Sequence, residues 1–436
     1  MKNILTILAV LISILPVYAQ TVDSPYEVGI WQGFRSAAIS YTFDDGSPNH
    51  YAKAIPLFDE FGYHLTMFTI TNWTGWAPNW TTLKNASLQG HEIASHTVTH
   101  TSLGDLNDSL QTIELKQSRD DIDSYITNTK CITIAYPFCV ASKKSITSEY
   151  YIAARICSGN IEPKTPRDFM NISSIICGEL GSLKTTEDFV KRFDSAVNSN
   201  GWCVLLIHGV DGDGGWSSLP STTLRETLEY TKEKDDDMWV ETFGNVARYI
   251  KERDDVSVSE VSVEDTTIIL NVTDTLPDSI FNYPVSVRRP LPEGWTSAKV
   301  AQNGVQVESK ITEENSVKYV QFDVIPDAGE IIITGDNSTK VINRTGKNVK
   351  NPALLNNYPN PFNPVTTIQF DLANSGRVTL KVLDTLGREV ETLLDKEVAL
   401  GQHSVAFQAD GLASGVYFVS LQGEDFVTYH KMLLLR

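Results

Sequence analysis

The spacing of apolar and polar positions divides the chain into three textures. From Ala38 to Phe43 the pattern predicts a strand that ends at the acidic pair Asp44-Asp45. Residues 51–60 then carry a helical pattern, and Leu65 to Ile70 a second strand. Further along, Val204 to Ile207 reads as a strand, and residues 224–230 and 243–253 as amphipathic helices with charged outer faces, the last closing the domain. Strand alternating with helix predicts a parallel sheet or barrel. After Arg253 the period drops to two. Runs such as residues 267–272 and 318–324, broken by Pro and Gly, predict a small β-sandwich over 256–335 that serves as a spacer. A polar linker, 336–355, leads into further alternating strands over 356–436.

Length and composition add the context. With 436 residues, two or three domains are expected. Residues 1–19 combine Lys2, an apolar run from Ile4 to Pro16 and the small-residue ending Val17-Tyr18-Ala19, a leader for export through Sec. No Cys follows the cleavage position, so no lipid anchor is expected, and no later stretch is apolar enough to span a membrane. A net charge of −18 argues against nucleic acid and anionic membranes as partners, and suits a neutral polysaccharide. The five cysteines, Cys131, Cys139, Cys157, Cys177 and Cys203, all fall in the first domain, where export permits disulfides. Their odd number leaves at least one thiol unpaired internally, and Cys203, inside an apolar strand, is the candidate.

The candidate chemistry lies in Thr42-Phe43-Asp44-Asp45-Gly46 and His96-Thr97-Val98-Thr99-His100. A hydrolytic metal needs three protein ligands and an open position for water, and one Asp with two neutral imidazoles supplies them. Side chains of adjacent residues diverge on an extended chain, so one Asp can bind metal while the other faces substrate. Spacing of i and i+4 on a helical turn would put both histidines on one face. Taken separately, Asp-Asp-Gly is usually a turn and the His pair commonly surface decoration; together they predict a metal site.

With Ala135-Tyr136-Pro137-Phe138 and Leu206-Ile207-His208 added, the motif order resembles the NodB-homology polysaccharide deacetylases, carbohydrate esterase family 4, over residues 27–253. The resemblance implies a distorted (β/α) barrel that removes acetyl groups from chitin, chito-oligosaccharides, peptidoglycan or xylan, usually with Zn2+. It makes Asp44 the general base, His208 the general acid, and Asp45, His96 and His100 the metal ligands. It gives the Tyr136-Pro137-Phe138 loop a substrate-side role, with the Phe138 N–H as oxyanion donor because Pro137 has none. Where many members carry an Arg that orients the base, this chain has Ala135. Arg155 is the candidate substitute, with a surface arginine the equal alternative, and Asp168 is the candidate for tuning His208. Trp216, after a Gly-rich loop, is a candidate sugar platform, while Trp73, Trp76 and Trp80 are open between that role and core filling.

Residues 356–436 resemble the type A sorting domain of type IX secretion substrates. The resemblance rests on Asn357-Tyr358-Pro359-Asn360-Pro361-Phe362-Asn363-Pro364, Gly415-Val416-Tyr417-Phe418, Gly423 and the run 431–436. The expected chain is thus multidomain, an α/β barrel followed by two all-β sandwiches over 20–255, 256–335 and 356–436. It is exported to the secretion machinery and then released or attached at the cell surface. Its expected activity is deacetylation of N-acetylated glycans; acetylxylan esterase and non-catalytic glycan binding are the competing readings.

Overall fold

The computed structural model describes residues 25–336, 356–372, 375–384, 388–423 and 426–435. The expected leader, 1–19, and nearly all of the expected linker lie outside them. The chain forms two compact units, Met1–Val341 and Ile342–Arg436.

In chain order the first unit opens with β1 (Glu27–Val28), β2 (Ala37–Asp44), α1 (Ile55–Phe61), β3 (Thr66–Thr69), α2 (Trp80–Leu88), β4 (Glu92–Ser95) and α3 (Asp108–Tyr125). There follow β5 (Thr133–Ala135), α4 (Lys144–Thr147), β6 (Ala153–Arg155), β7 (Ile175–Ile176), α5 (Thr186–Ser199), β8 (Trp202–Ile207), α6 (Ser221–Glu233), β9 (Met238–Val240) and α7 (Phe243–Asp255). The parallel strands lie in the order β6-β5-β4-β3-β2-β8-β7, with β9 beside the start of β2. The sheet curls. Ile172 exchanges backbone hydrogen bonds of 2.8 Å with Ala154 and Ile156 at one edge, and β7 pairs with β8 at the other.

All eight residues of β2 are buried, as expected for a central parallel strand. Ile39, Tyr41 and Phe43 pack outward with Phe58, Phe193, Leu224 and Leu228 of the helices. The opposite face of the sheet is lined by small residues, Ala38, Ala94, Ala135 and Ala153, which leave room for Phe68, Trp202 and Phe243. Trp202 Nε1 donates to Ser40 Oγ at 3.0 Å, which satisfies the one polar atom of the indole.

The sandwich comprises β10 (Ser257–Val263), β11 (Thr267–Thr273), β12 (Val285–Pro290), β13 (Ser297–Gln302), β14 (Val305–Val307), β15 (Ser309–Glu314), β16 (Val317–Val324) and β17 (Ile331–Asp336). These make two antiparallel sheets, β10-β11-β17-β13-β14 and β1-β12-β16-β15. The second sheet thus recruits β1 from upstream of the barrel, Val28 pairing with Val287. Helix α7 is covered more fully than its pattern predicts: Asp254 and Asp255 are exposed and Arg248, Lys251 and Arg253 half-buried, but Glu252 is buried, and Val246, Tyr249 and Ile250 join the barrel residues above to Ile268, Val285, Val287 and Phe322 in one continuous core.

The second unit contains β18 (Asn356–Tyr358), β19 (Val365–Leu372), β20 (Gly376–Leu383), β21 (Glu389–Val398), β22 (Gly401–Gln408), β23 (Gly415–Gln422) and β24 (Val427–Leu434). They form two antiparallel sheets, β18-β19-β22 and β21-β20-β23-β24, around Ile368, Leu380, Val419 and Met432. The proline-rich opening and the terminal run, far apart in sequence, meet here. Phe362 is 2% exposed, its N–H donates to Leu433 O at 2.9 Å, and its carbonyl accepts from Leu435 N at 3.0 Å.

Candidate active site

The C-terminal ends of the barrel strands bring the motif residues together. Strand β2 stops at Asp44, and Asp45 takes a left-handed φ of +71°. That turn cancels the divergence expected of neighbouring side chains. Both carboxylates reach His96, whose Nε2 lies 3.7 Å from Asp44 Oδ2 and 3.5 Å from Asp45 Oδ1. His100 Nε2 is also 3.5 Å from Asp45 Oδ1, and one ligand atom from each of Asp45, His96 and His100 falls within 4.8 Å of the others.

The two histidines are not on a helical turn as their spacing predicts. Residues 96–100 form a loop in which Thr97 and His100 have φ of +67° and +59°. Three consecutive β-branched residues, Thr97, Val98 and Thr99, already disfavour a helix.

These residues fit a divalent metal. His96 Nδ1 pairs with Ala135 O at 2.8 Å, which leaves Nε2 as the free lone pair. Burial lowers the His96 pKa to about 3 and lowers that of His100, so both imidazoles are neutral donors. Asp45 Oδ1 is buried and has no hydrogen-bond partner among the described residues. Burial, then the neighbouring Asp44 charge, raises the Asp45 pKa to about 7. One carboxylate oxygen and two imidazole nitrogens constitute a zinc-type donor set.

Asp44 is 2% exposed. Burial pushes its pKa up, but its neighbours, the Arg155 guanidinium foremost, outweigh that and hold it down, so the carboxylate stays ionised. The Arg155 guanidinium, equally buried, donates to Asp44 Oδ2 and approaches Thr42 Oγ1 and Ser174 Oγ at 3.4 Å. Arg155 is the direct register partner of Ala135 on the adjacent strand. The guanidinium that the motif lacks at Ala135 therefore arrives from one strand over. Asp44 Oδ1 has no partner among the described residues and is free to act.

His208, just past β8, places Nε2 3.9 Å from Asp44 Oδ2, and burial lowers its pKa. Asp168 is not brought to it. That carboxylate caps Met170 N at 3.0 Å and pairs with Lys144 at 2.8 Å, and His208 Nδ1 is buried without a partner among the described residues.

Of the loop after β5, the Tyr136 side chain is buried, its hydroxyl 3.1 Å from Thr147 Oγ1, and Pro137 is buried too. Phe138, 66% exposed, lies against the His100 ring at 4.7 Å. Trp216, 47% exposed, stands edge-on to His208 at 4.9 Å. Trp73 leans on His100 at 5.8 Å and carries Trp76 at 5.4 Å. Trp80 stacks on Tyr125 at 4.2 Å instead, a helix-packing role. A Cys139–Cys157 disulfide ties the loop after β5 to that after β6; Cys131, Cys177 and Cys203 are buried thiols.

Among the described residues no helix is long and apolar enough to cross a membrane. Comparison with known proteins gives two family matches, polysaccharide deacetylase over residues 33–151 and secretion system C-terminal sorting domain over 356–435. A curated gellan lyase from Bacillus sp is 29% identical over 331 residues, covering 71% of this chain. The chain spans only 13% of that protein's length. Among solved structures, the Xyl-CE4 domain of a multidomain xylanase from the hindgut metagenome of Trinervitermes trinervoides is 15% identical, with a TM-score of 0.36 over 48% of this chain and 89% of that one. A family 4 acetyl xylan esterase from Clostridium thermocellum, in complex with a cobalt ion, is 15% identical, with a TM-score of 0.35 over 48% and 89%. With the motif residues assembled at one end of a curled parallel sheet, the chain carries a polysaccharide deacetylase domain of the NodB-homology type, carbohydrate esterase family 4, together with a type IX secretion sorting domain.

Proposed function

We propose that this chain is an exported, metal-dependent hydrolase that removes acetyl groups from N-acetylated glycans of the chito-oligosaccharide type. The observation that carries the reading is Asp44, held ionised by a buried Arg155, with Oδ1 free, beside Asp45, His96 and His100. Those three residues would hold a divalent cation, with Zn2+ best suited to the donor set; when bound, it supplies Lewis-acid polarisation of the acetyl carbonyl and acidifies water.

The protein's own groups do the rest. Asp44 takes the water proton at Oδ1. His208 delivers a proton to the departing nitrogen, and the burial that lowers its pKa makes its protonated form the stronger acid. The Phe138 N–H donates to the developing oxyanion, and the exposed faces of Phe138 and Trp216 flank the acetylated sugar. The sorting domain supports release outside the cell or attachment at its surface, which favours an external glycan over the cell's own wall.

The same base, acid and ligands would serve an ester, so acetylxylan is the second substrate reading. A purely glycan-binding protein is disfavoured by Arg155, because a site that only held sugar would have no need of a buried guanidinium on Asp44. The test is acetate release by the zinc-loaded full chain from N-acetylglucosamine oligomers and from acetylxylan, with Asp44→Asn beside it. Acetate from the oligomers that falls by about 10²–10⁴-fold in the variant is the expected result. Acetate from xylan alone would make the protein an esterase, and none from either would leave the binding reading.

A further inference from the structure

Every backbone N–H of the loop between the two histidines has an identified acceptor. His96 N donates to Thr69 O at 2.9 Å, Thr97 N to Ser95 Oγ at 3.2 Å, and His100 N to Thr97 Oγ1 at 3.1 Å. The two in the middle, Val98 N and Thr99 N, both donate to Glu114 Oε2, at 2.8 and 3.0 Å. Thr99 Oγ1 adds a third bond, 2.6 Å to Glu114 Oε1. Glu114 belongs to α3, is 8% exposed, and lies outside every motif singled out in the sequence.

The loop cannot hold its shape from its own preferences. Thr97 is β-branched at φ +67°, and His100 is itself left-handed. Such residues persist only where their surroundings over-determine them. A carboxylate accepting two adjacent backbone N–H groups and a hydroxyl is a charge-assisted clamp of that kind. Its position fixes the distance between the two imidazoles, because the clamped residues are the ones that separate His100 from His96.

We propose that Glu114 is a positioning residue that sets the metal affinity of the site by clamping the 96–100 loop from beneath, without touching metal or substrate. The inference rests on the metal-site reading above. It predicts that losing Glu114 weakens metal binding far more than it changes turnover once the site is saturated. Second-layer groups behind metal ligands typically change affinity about 10–100-fold.

The test uses full-length Glu114→Ala and Glu114→Gln, the second retaining one acceptor oxygen and volume in case the first fails to fold. Zinc dissociation constants come from competition with a chromophoric chelator, kcat from assays at saturating zinc, and amide hydrogen exchange from the metal-free protein. The expected result is a zinc Kd raised about 10–100-fold in Ala and less in Gln, with kcat within about threefold of the parent. Exchange at Val98 and Thr99 should accelerate while that of β2 and β8 does not. An unchanged zinc Kd in folded variants overturns the proposal, whatever their melting temperatures, and leaves the metal reading intact. A parent chain that binds no zinc overturns both.

Discussion

Asp44 faces two demands at once: it must remain charged away from water, and it must keep one oxygen uncommitted. Arg155 meets the first by bonding Oδ2, which leaves Oδ1 for chemistry. Removing the guanidinium leaves a buried, poorly compensated carboxylate. Arg155→Ala is therefore expected to lower kcat by about a hundredfold or more while zinc content is unchanged, and Arg155→Lys, which keeps the charge but loses the planar fork, to fall between. Steady-state kinetics with metal analysis on the same samples checks both. That Asp44, Asp45, His96 and His100 come together could be read from the sequence, because residue type and order point to one cluster. For Arg155 the sequence left a partner of the base and a surface arginine equally open, and the pairing of β5 with β6 is what brings it beside Asp44. Asp168 shows the opposite failure: a plausible residue type that spends its carboxylate on a helix cap and on Lys144.

At the scale of elements, α7 has the clearest consequence for stability. Glu252 on this helix is fully buried; one oxygen accepts from Tyr283 N at 2.9 Å and the other has no partner among the described residues. Burial raises its pKa from 4.5 to about 7. A group raised on folding contributes stability that is complete below its unfolded value and is lost as pH climbs through the folded one. Between roughly pH 4.5 and 7 the protein should therefore lose stability through this residue, on the order of 1 kcal/mol or more by pH 8. Glu252→Gln, neutral at every pH, is expected to melt higher than the parent at pH 8 and no higher at pH 4.5, as thermal unfolding at the two pH values will show. Periodicity foresaw this helix but not its burial, because an apolar stripe says which side is covered and not how many neighbours cover it. The histidine loop was misread for a related reason: a four-residue spacing is compatible with a helix without requiring one, and the conformation is imposed from α3.

For the whole molecule, the change of texture after Arg253 coincides with the end of α7 and the start of β10, yet both lie within one compact unit, Met1–Val341. What alternation could not reveal is that the sandwich core continues into the barrel's inner core through α7. A fragment ending at 255 would uncover Tyr249, Ile250 and the apolar floor they complete, and leave β1 without its partner. Residues 25–336 are expected to give a monomer with a cooperative melt, and residues 25–255 an aggregating or molten species, as size-exclusion chromatography and near-UV circular dichroism would reveal. The pairing of β1 with β12 also bears on time. Val28 finds Val287 only after every strand and helix of the barrel has been supplied. A chain made N-terminus first must hold its opening strand in waiting until then, and the curled sheet stays without its floor through most of synthesis.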